Sequence, residues 1–249
     1  MTVALVTGGA GGFGTVVARR LSAAGTTVVL ADIDERGPEI ADQVGGSFVR
    51  TDVTRRADLE AAVAAAEERG PLTQVFLNAG VASPEAGLER VTEESYRHVI
   101  GVNVDGVFWG LRAALPALRR AGGGAVVVTA SLAGLTPWPD DPVYTLTKHA
   151  AVALSRAVAP ELAAEGIRVC VVCPGFADTP LVSGQLRESG FPLLTGDEVG
   201  EALVDAAVRG EAGHVYLLQP GREVVDYRHH GVPSALSPDG QAPEVPRLG

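Results

Sequence analysis

A tyrosine and a lysine four residues apart, Tyr144 and Lys148, are the residues whose types and spacing most directly suggest chemistry. Lys148 is the only lysine among the 20 Lys and Arg residues of the chain. On a helix, residues i and i+4 lie on one face, and an ammonium beside a phenol lowers the phenol's pKa by favouring the phenolate. Such a phenolate is a general base near neutral pH. The spacing also fits an ordinary exposed helix pair, because Y-x-x-x-K often arises by chance.

A glycine-rich turn near the N-terminus is a second candidate for function. Residues 3–6 predict a strand, residues 7–14 read T-G-G-A-G-G-F-G, and residues 15–24 predict a helix. Glycine would let a cofactor pyrophosphate approach the backbone, next to the free N–H groups and positive dipole end of the helix. Because glycine-rich turns are common, it is the position between strand and helix that indicates nucleotide binding.

An acidic residue follows the second predicted strand, which covers residues 27–31. Asp32 is placed to accept hydrogen bonds from both hydroxyls of an adenosine ribose and to repel a 2′-phosphate. Gly11 and Ile33, where a basic residue could hold that phosphate, are uncharged. The sequence therefore favours NAD over NADP, although Asp32 could equally be a loop acid or a helix cap.

The elements that must position these residues alternate along the chain. Further strands are predicted at residues 47–49, 72–77, 125–129, 167–173 and 214–218, and helices at residues 55–69, 93–120, 144–165 and 199–208. This alternation predicts an α/β fold, a single-domain Rossmann-type doubly wound parallel sheet flanked by helices on both faces. Asn103 interrupts the helix predicted at residues 93–120, and asparagine there usually marks a kink or a bond to the backbone.

The domain boundaries follow from composition. Residues 1–230 are predicted to form one domain, and the proline-rich residues 231–249 an extended or disordered C-terminal tail. Within the domain, the apolar residues 180–197 are either a substrate-covering lobe or a structural insertion.

Charge and hydropathy exclude some classes of function. The net charge of -10 argues against a broad nucleic-acid or anionic-membrane footprint. The first residues lead straight into a predicted strand rather than a secretory signal, and no run of about eighteen apolar residues indicates a membrane span. We therefore expect a cytoplasmic protein.

Two short motifs could indicate metal or redox chemistry, but each also has a simpler interpretation. Cys170 and Cys173 form a C-x-x-C, but they lie in a β-branched run that predicts a buried strand. Residues three apart on a strand point to opposite faces, so two inert buried thiols are favoured over a disulfide or zinc site. His229 and His230 could be a metal pair or a solvated surface pair, and no metal is expected.

Taken together, the motifs resemble the short-chain dehydrogenase/reductase family over nearly the whole chain. The resemblance lies in T-G-x-x-x-G-x-G at residues 7–14, N-A-G at residues 78–80, and the set Asn103, Ser131, Tyr144 and Lys148. It implies hydride transfer between C4 of a nicotinamide and a carbon that bears a hydroxyl or carbonyl group.

The resemblance also implies a role for each residue of the active-site set. Tyr144 as phenolate would take the alcohol proton, and Ser131 would hydrogen-bond the substrate oxygen. Lys148 would bind the nicotinamide ribose and lower the pKa of Tyr144, and Asn103 would hold a water linking Lys148 to solvent. The implied cofactor-binding residues are Thr7, Gly8, Gly12, Phe13, Gly14, Asp32, Ile33, Asp52, Val53, Asn78, Ala79, Gly80, Tyr144, Lys148, Pro174, Gly175 and Thr179. The implied substrate-binding residues are Ser131, Trp138, Asp141, Tyr144 and Phe176.

Within the family, the chain is most similar to the NAD-dependent 15-hydroxyprostaglandin dehydrogenase type. This rests on S-L-A-G-L-x-P at residues 131–137, P-V-Y at residues 142–144, C-P-G-F at residues 173–176 and the late Asp226-Tyr227. Asp141 stands where that group has a substrate-facing glutamine. A carboxylate there could accept a hydrogen bond from a substrate hydroxyl or pair with a cationic substrate, and would disfavour an anionic group nearby.

These observations predict an NAD-dependent oxidoreductase that transfers a hydride between the cofactor and a secondary alcohol or ketone of an apolar small molecule. The family resemblance also implies a homodimer or homotetramer, built through the helices at residues 93–120 and 144–165. Two other functions remain open. One is a ketone reductase in a biosynthetic pathway, and the other is a non-catalytic dinucleotide-binding sensor or scaffold.

Overall fold

Strands and helices alternate along the described chain. The computed structural model describes residues 2–179, 182 and 184–230. The strands are β1 Val3–Thr7, β2 Thr27–Asp32, β3 Ser47–Arg50, β4 Leu72–Leu77, β5 Gly124–Thr129, β6 Ile167–Pro174, β7 Val215–Leu218 and β8 Val225–Asp226. The helices are α1 Gly12–Ala23, α2 Gly37–Val44, α3 Arg56–Glu67, α4 Glu93–Ile100, α5 Gly106–Arg120, α6 Pro142–Ala163, α7 Gly184–Glu188 and α8 Gly196–Arg209.

The strands form a single sheet in the order β3-β2-β1-β4-β5-β6-β7-β8. Strands β1 to β7 pair in parallel, and β8 pairs antiparallel to β7 at the edge. The order reverses between β1 and β4, so the carboxyl ends of these strands border a crevice in which doubly wound sheets bind ligands. The predicted Rossmann-type fold is confirmed.

Both faces of the sheet are covered, which is why its central strands are mostly apolar. Val3 and Leu5 of β1 belong to a core cluster with α3, α5 and α6, whereas Ala4 and Val6 belong to a second cluster with α1, α2 and α8. Alternate residues of a strand point to opposite faces, so a strand buried on both sides needs a continuous apolar run.

The two cysteines follow the same alternation. Cys170 lies in the core cluster with α1, α2 and α8, and Cys173 lies in a smaller cluster on the other face with Val152 of α6. Both are buried and free, as predicted. Burial raises the pKa of each thiol to about 12, so both are protonated at neutral pH.

The helix predicted at residues 93–120 is wrong in one respect, because it is divided. α4 ends at Ile100, a π-helical turn covers Gly101–Asp105, and α5 then begins. π-Helical turns inside α-helices are frequent at functional sites. Asn103 lies in this turn, in agreement with the predicted irregularity. Helix α2 and strand β8 were not predicted from the sequence.

Part of the apolar segment at residues 180–197 lies within the described residues. It contains α7, and Leu194 returns to the end of β6, where its N–H donates to the Phe176 carbonyl at 2.8 Å. The predicted tail at residues 231–249 lies outside the described residues, as do residues 180, 181 and 183. None of the described helices is both long and apolar enough to cross a membrane.

The glycine-rich turn is built on close backbone contacts. Gly8 has a φ of +62°, a left-handed conformation that favours glycine. A Cβ on Gly14 would lie 2.1 Å from the Gly8 carbonyl oxygen, whereas a Cβ on Gly12 would meet no atom within 4 Å. Gly14 is therefore required by packing, and Gly12 faces open space.

We predict that Gly14→Ala destabilises the protein by about 2–4 kcal/mol, because an overpacked backbone contact must be relieved by moving α1 or the turn. Gly12→Ala is the matched control in the same turn and should change stability by less than about 0.5 kcal/mol. Urea denaturation of both variants measures the difference. Equal stabilities would contradict the packing role of Gly14.

Candidate active site

Tyr144 and Lys148 lie on the first two turns of α6 and face the interior. Tyr144 is 8% exposed and Lys148 is 4% exposed, so the interpretation as an ordinary exposed pair is wrong. The Lys148 ammonium lies 5.4 Å from the centre of the Tyr144 ring and donates a hydrogen bond to the Thr129 carbonyl at 3.1 Å. A single buried cation is thus held between α6 and the end of β5.

Ser131 is brought to Tyr144 by a short 3-10 turn, Leu132–Gly134, that follows β5. Its hydroxyl oxygen accepts a hydrogen bond from the Ala133 N–H at 3.1 Å, and its side chain is hydrogen-bonded to Tyr144. A Cβ on Gly134 would lie 2.7 Å from the Lys148 carbonyl oxygen, so this turn packs directly against α6. The structure therefore assembles Ser131, Tyr144 and Lys148 in one place.

The acid–base properties of this cluster differ from the sequence prediction. The pKa of Tyr144 is raised to about 12, chiefly by burial; the hydrogen bond with Ser131 opposes the rise, and the negative charge of Asp141 adds to it. Burial also lowers the pKa of Lys148 to about 8. The expected lowering of the Tyr144 pKa is therefore wrong for this structure, because the loss of solvation outweighs the stabilisation of the phenolate.

The Asn103 side chain makes three hydrogen bonds within the protein. The residue is 1% exposed. Its amide oxygen accepts a hydrogen bond from the Val81 N–H at 2.9 Å. Its amide nitrogen donates to the Val81 carbonyl at 2.8 Å and to the Thr147 hydroxyl at 3.0 Å. The π-helical turn thus fixes the loop that follows β4 against α6. A Cβ on Gly80 in this loop would lie 3.1 Å from the Lys148 ammonium, which places the loop beside the cluster.

Two residues predicted to bind cofactor join the loops to one another through their side chains. The Thr7 hydroxyl accepts from the N–H groups of Asn78 and Ala79 at 3.0 and 3.2 Å. The Asn78 amide donates to the Gly8 carbonyl at 3.3 Å and accepts from the Thr129 hydroxyl at 3.1 Å. The side chains of Thr7 and Asn78 therefore hold the ends of β1, β4 and β5 together, and leave the backbone of these loops for a ligand.

Asp32 lies at the end of β2, next to the glycine-rich turn. Its carboxylate accepts from the Ala10 N–H at 2.9 Å and from the Asp34 N–H at 3.1 Å. These are the bonds of a loop acid, one of the alternatives from the sequence, and they are compatible with ribose binding. These two bonds occupy one lone pair on each oxygen, and the remaining lone pairs are free to accept hydroxyl groups of a ligand.

Asp52 and Val53 follow β3 at the same edge of the sheet. The Asp52 carboxylate accepts from the Thr54 N–H at 2.9 Å and the Thr54 hydroxyl at 2.7 Å. Val53 is buried in a small cluster with Leu59 and Val102. Ile33, by contrast, is more than half exposed beside Asp32, with no packing role.

A cavity of about 200 Å³ opens next to Tyr144. It is lined by the predicted residues Phe13, Ser131, Trp138, Tyr144, Pro174, Gly175, Phe176 and Thr179, and by Ala82, Ala130, Leu132, Ala133, Thr136, Pro137, Ala177 and Val182, which were not predicted. The eight lining residues that were not predicted are small or apolar. Nothing in the sequence marks them as functional except that they lie close to the motifs.

Aromatic side chains form one wall of this cavity. Trp138 makes edge-to-face contacts with Tyr144 and Phe176, with ring centres 6.1 and 5.8 Å apart, and Phe176 makes a further such contact with Phe191 at 5.4 Å. Such contacts fix ring orientations beyond what apolar burial does. The predicted substrate residues Trp138 and Phe176 are thus placed together against the predicted catalytic tyrosine.

Asp141 is the one predicted substrate residue that the structure places elsewhere. It is 5% exposed and is absent from the lining of the cavity. Its carboxylate accepts hydrogen bonds from the Tyr144 N–H at 2.8 Å and from the N–H and hydroxyl of Ser83 at 2.8 and 2.7 Å. The expectation of a substrate-facing carboxylate is therefore wrong, because the side chain caps α6 and turns towards the loop after β4.

A larger cavity of about 460 Å³ lies between α8 and the β7–β8 edge of the sheet. It is lined mainly by charged side chains of α8 and by residues near β8, and none of the residues predicted to be catalytic borders it. The smaller cavity is therefore the candidate active site, since it is the one that combines buried titratable groups with an apolar wall.

The chain was compared with known proteins. Residues 2–189 match the family described as short chain dehydrogenase. The chain is 38% identical over 188 residues to cis-4-hydroxycyclohexanecarboxylate dehydrogenase of Sinomonas cyclohexanicum, which covers 73% of this chain and 76% of that protein. It is 33% identical over 240 residues to the mitochondrial borneol dehydrogenase of Lavandula x intermedia, which covers 90% and 91% of the two chains.

The fold is also similar to solved structures. A crystal structure of 3-ketoacyl-(acyl-carrier-protein) reductase from Brucella melitensis complexed with NADH superposes with a TM-score of 0.82 at 31% identity. The match covers 89% of this chain and 98% of that chain.

We predict that Lys148→Met stabilises the folded protein at pH 7 by about 2 kcal/mol, while abolishing any chemistry that needs the ammonium. The pKa of Lys148 falls from 10.5 to about 8 on folding, so the folded state disfavours the bound proton. This cost is fully present below pH 8 and disappears as the pH rises to 10.5. The lost hydrogen bond to the Thr129 carbonyl offsets about 1 kcal/mol of the gain.

Thermal and urea unfolding at a series of pH values measure this effect. The stability difference between Lys148→Met and the unmodified protein should shrink between pH 8 and 10.5. A variant that is less stable than the parent at pH 7 would show that the buried ammonium is net stabilising.

Proposed function

The chain belongs to the short-chain dehydrogenase/reductase family, and from this premise we propose that it is an NAD-dependent oxidoreductase that interconverts secondary alcohols and ketones of compact, apolar ring compounds. One observation carries the proposal: Tyr144 and Ser131 line a small cavity with an apolar wall, and the buried ammonium of Lys148 lies beside the Tyr144 ring. The named relatives oxidise alcohols of six-membered and bridged rings, which agrees with a cavity of this size.

The protein's own groups supply proton transfer and positioning. In oxidation, Tyr144 accepts the proton of the substrate hydroxyl while Ser131 hydrogen-bonds the same oxygen and fixes its orientation. A nicotinamide supplies the hydride acceptor when bound. Lys148 provides a positive charge beside the phenol, and its pKa of about 8 leaves it mostly protonated at neutral pH.

The ligand-binding surface fits a dinucleotide. The N-terminus of α1 has no side-chain cap, and Gly12 at its first turn leaves open space above the backbone. An anionic pyrophosphate is stabilised at such a helix end by free N–H groups and by the dipole. Gly8, Gly12, Phe13 and Gly14 would hold it through their backbone.

The preference for NAD rests on the charges near Asp32. Its carboxylate repels a 2′-phosphate, and its free lone pairs accept the ribose hydroxyls. Two arginines near Asp32 could in principle bind a 2′-phosphate, but both already have partners in the protein. Arg36 forms an ion pair with Asp34 at 2.6 Å, and Arg50 donates a hydrogen bond to the Ile33 carbonyl at 3.1 Å.

The remaining roles are proposed with the same reasoning. Ile33, Asp52 and Val53 lie at the edge of the sheet where an adenine would bind, and Asn78, Ala79 and Gly80 face the cofactor with their backbone. Pro174, Gly175 and Thr179 would contact the nicotinamide end, since they line the cavity beside Tyr144. The finer resemblance to the 15-hydroxyprostaglandin dehydrogenase type remains a prediction, and the cavity volume favours a compact ring over a long chain.

Reduction is a second candidate direction, and one observation favours it. The pKa of about 12 keeps Tyr144 protonated at neutral pH, and the phenol is the form that donates a proton to a ketone. Oxidation needs the phenolate, so its rate should rise with pH.

The first experiment offers purified protein a panel of alicyclic and linear secondary alcohols with NAD or NADP, and the matching ketones with NADH or NADPH. We expect turnover with NAD(H) and cyclic substrates, and alcohol oxidation that increases with pH. Absorbance of the reduced nicotinamide measures both directions.

Tyr144→Phe should lower kcat by at least about 100-fold, because it removes the acid–base group, while binding of NADH remains. Turnover only with NADP(H) would overturn the assignment of Asp32. Absence of turnover with every alcohol and ketone, together with tight NADH binding, would support the sensor or scaffold function instead.

We also propose that the protein forms at least a dimer through α4, α5 and α6. Apolar side chains are exposed together on these helices and the loop before them: Phe108 is 43% exposed and Leu146 50%, and Leu88, Tyr96 and Leu146 line a shared groove. An apolar patch of this kind on neighbouring helices marks a protein–protein contact, and a second copy of the chain would cover it.

Size-exclusion chromatography with light scattering tests the dimer. We expect Leu146→Asp to shift the protein towards monomer, because it places a charge in the apolar contact. Leu146→Ala is the control and should weaken association less. A monomeric parent protein at micromolar concentration would contradict the proposal.

A further inference from the structure

The carboxylate of Asp141 makes more contacts than a helix cap requires. An N-cap needs one acceptor for a free N–H of the first turn, and the bond from the Tyr144 N–H to Oδ1 at 2.8 Å provides it. The same oxygen also accepts from the Ser83 hydroxyl at 2.7 Å, and Oδ2 accepts from the Ser83 N–H at 2.8 Å. One buried side chain therefore binds both the tyrosine backbone and a loop 58 residues away.

The loop that Asp141 holds forms part of the cavity. Ala82, directly before Ser83, lines the cavity, and Val81 is fixed from the other side by Asn103. A further bond from the Gly87 N–H to the Asp140 carbonyl at 2.8 Å joins the same two segments. The Asp141 carboxylate thus provides three of the hydrogen bonds that connect the cavity wall and the start of α6.

We propose that Asp141 is a positioning residue for the reaction, which holds the Tyr144 backbone and the Ser83 loop in register and places a fixed negative charge near the tyrosine ring. This proposal rests on the proposed function, since it concerns how Tyr144 is placed and how readily it ionises. It also replaces the substrate-binding role that the sequence suggested for Asp141.

The charge of Asp141 acts on Tyr144 together with three other groups. Lys148 lies over the tyrosine ring, Ser131 hydrogen-bonds its hydroxyl, and the protonated thiol of Cys173 lies nearby. Ser131 favours the phenolate, whereas Asp141 disfavours it and raises the pKa of Tyr144. Removing the charge of Asp141 should therefore make the phenolate easier to form.

The test compares Asp141→Asn with Asp141→Ala. Asparagine keeps an oxygen that can accept from the Tyr144 N–H and the Ser83 hydroxyl, but removes the charge and the bond to the Ser83 N–H. In alcohol oxidation, the acidic limb of log kcat against pH should move to lower pH by about 0.5 unit or more in Asp141→Asn, because a like charge is removed. Asp141→Ala should show the same shift and also a kcat lower by about tenfold, because the tyrosine is less well oriented.

A matched control separates positioning from general destabilisation. Thr195 caps α8 with a similar bond to the Glu198 N–H at 3.2 Å, on the opposite face of the sheet from α6. Thr195→Ala should lower stability without moving the pH profile. An unmoved profile and an unchanged kcat in both Asp141 variants would overturn the proposal and leave Asp141 as a structural cap.

A second measurement does not depend on turnover. The tyrosinate absorption of Tyr144 is obtained by subtracting the spectrum of Tyr144→Phe, in the parent and in the Asp141→Asn background, at pH values where circular dichroism shows a folded protein. More tyrosinate at a given pH in Asp141→Asn supports the proposal, and equal amounts contradict it. If none of the alcohols and ketones is turned over, the proposed function is wrong. This titration still decides whether the charge of Asp141 affects the ionisation of Tyr144.

Discussion

The burial of one ammonium group, that of Lys148, is the constraint on which the rest of the site depends. A buried cation is costly unless polar groups replace its water, and here the Thr129 carbonyl accepts one of its protons. A Cβ on Gly134 would lie 2.7 Å from the Lys148 carbonyl oxygen, and a Cβ on Gly80 would lie 3.1 Å from the ammonium, so the surroundings of Lys148 are tightly packed. The chain elsewhere uses arginine, whose planar guanidinium has a different reach and hydrogen-bond geometry.

Around this cation, hydrogen bonds between side chains and backbone join the loops at the carboxyl ends of the strands to one another. Thr7, Asn78 and Thr129 join β1, β4 and β5, and Asn103 and Asp141 fix the loop after β4 from two sides. These polar side chains bond to one another and to the backbone within the protein, so the loops they join are held in place by the protein itself. A site built in this way is rigid before any ligand arrives, which is what orientation of reacting groups requires.

The sequence predicted the parts of this arrangement that are encoded locally or by motif spacing. Helical periodicity placed Tyr144 and Lys148 on one face, and the alternation of strands and helices gave the doubly wound sheet. The direction in which the pKa of Tyr144 shifts was predicted wrongly, because the shift comes from burial, and burial depends on how β5, β6 and α6 pack. The true partner of Asp141 was missed for a similar reason, since Ser83 is distant in sequence and no local pattern distinguishes a helix cap from a substrate contact. The only sign of the π-helical turn at Gly101–Asp105 in the sequence was Asn103, an asparagine inside a predicted helix.

The aromatic wall has a consequence for how the site can be observed. The chain contains two tryptophans. Trp138 contacts Tyr144 at the cavity. Trp109 lies on α5, with the guanidinium groups of Arg56 and Arg112 at 5.2 and 5.3 Å from the centre of its ring. With Trp109 replaced by phenylalanine, the remaining indole fluorescence originates beside the reacting groups. The protein thus carries an intrinsic optical probe whose emission follows the polarity of its own cavity.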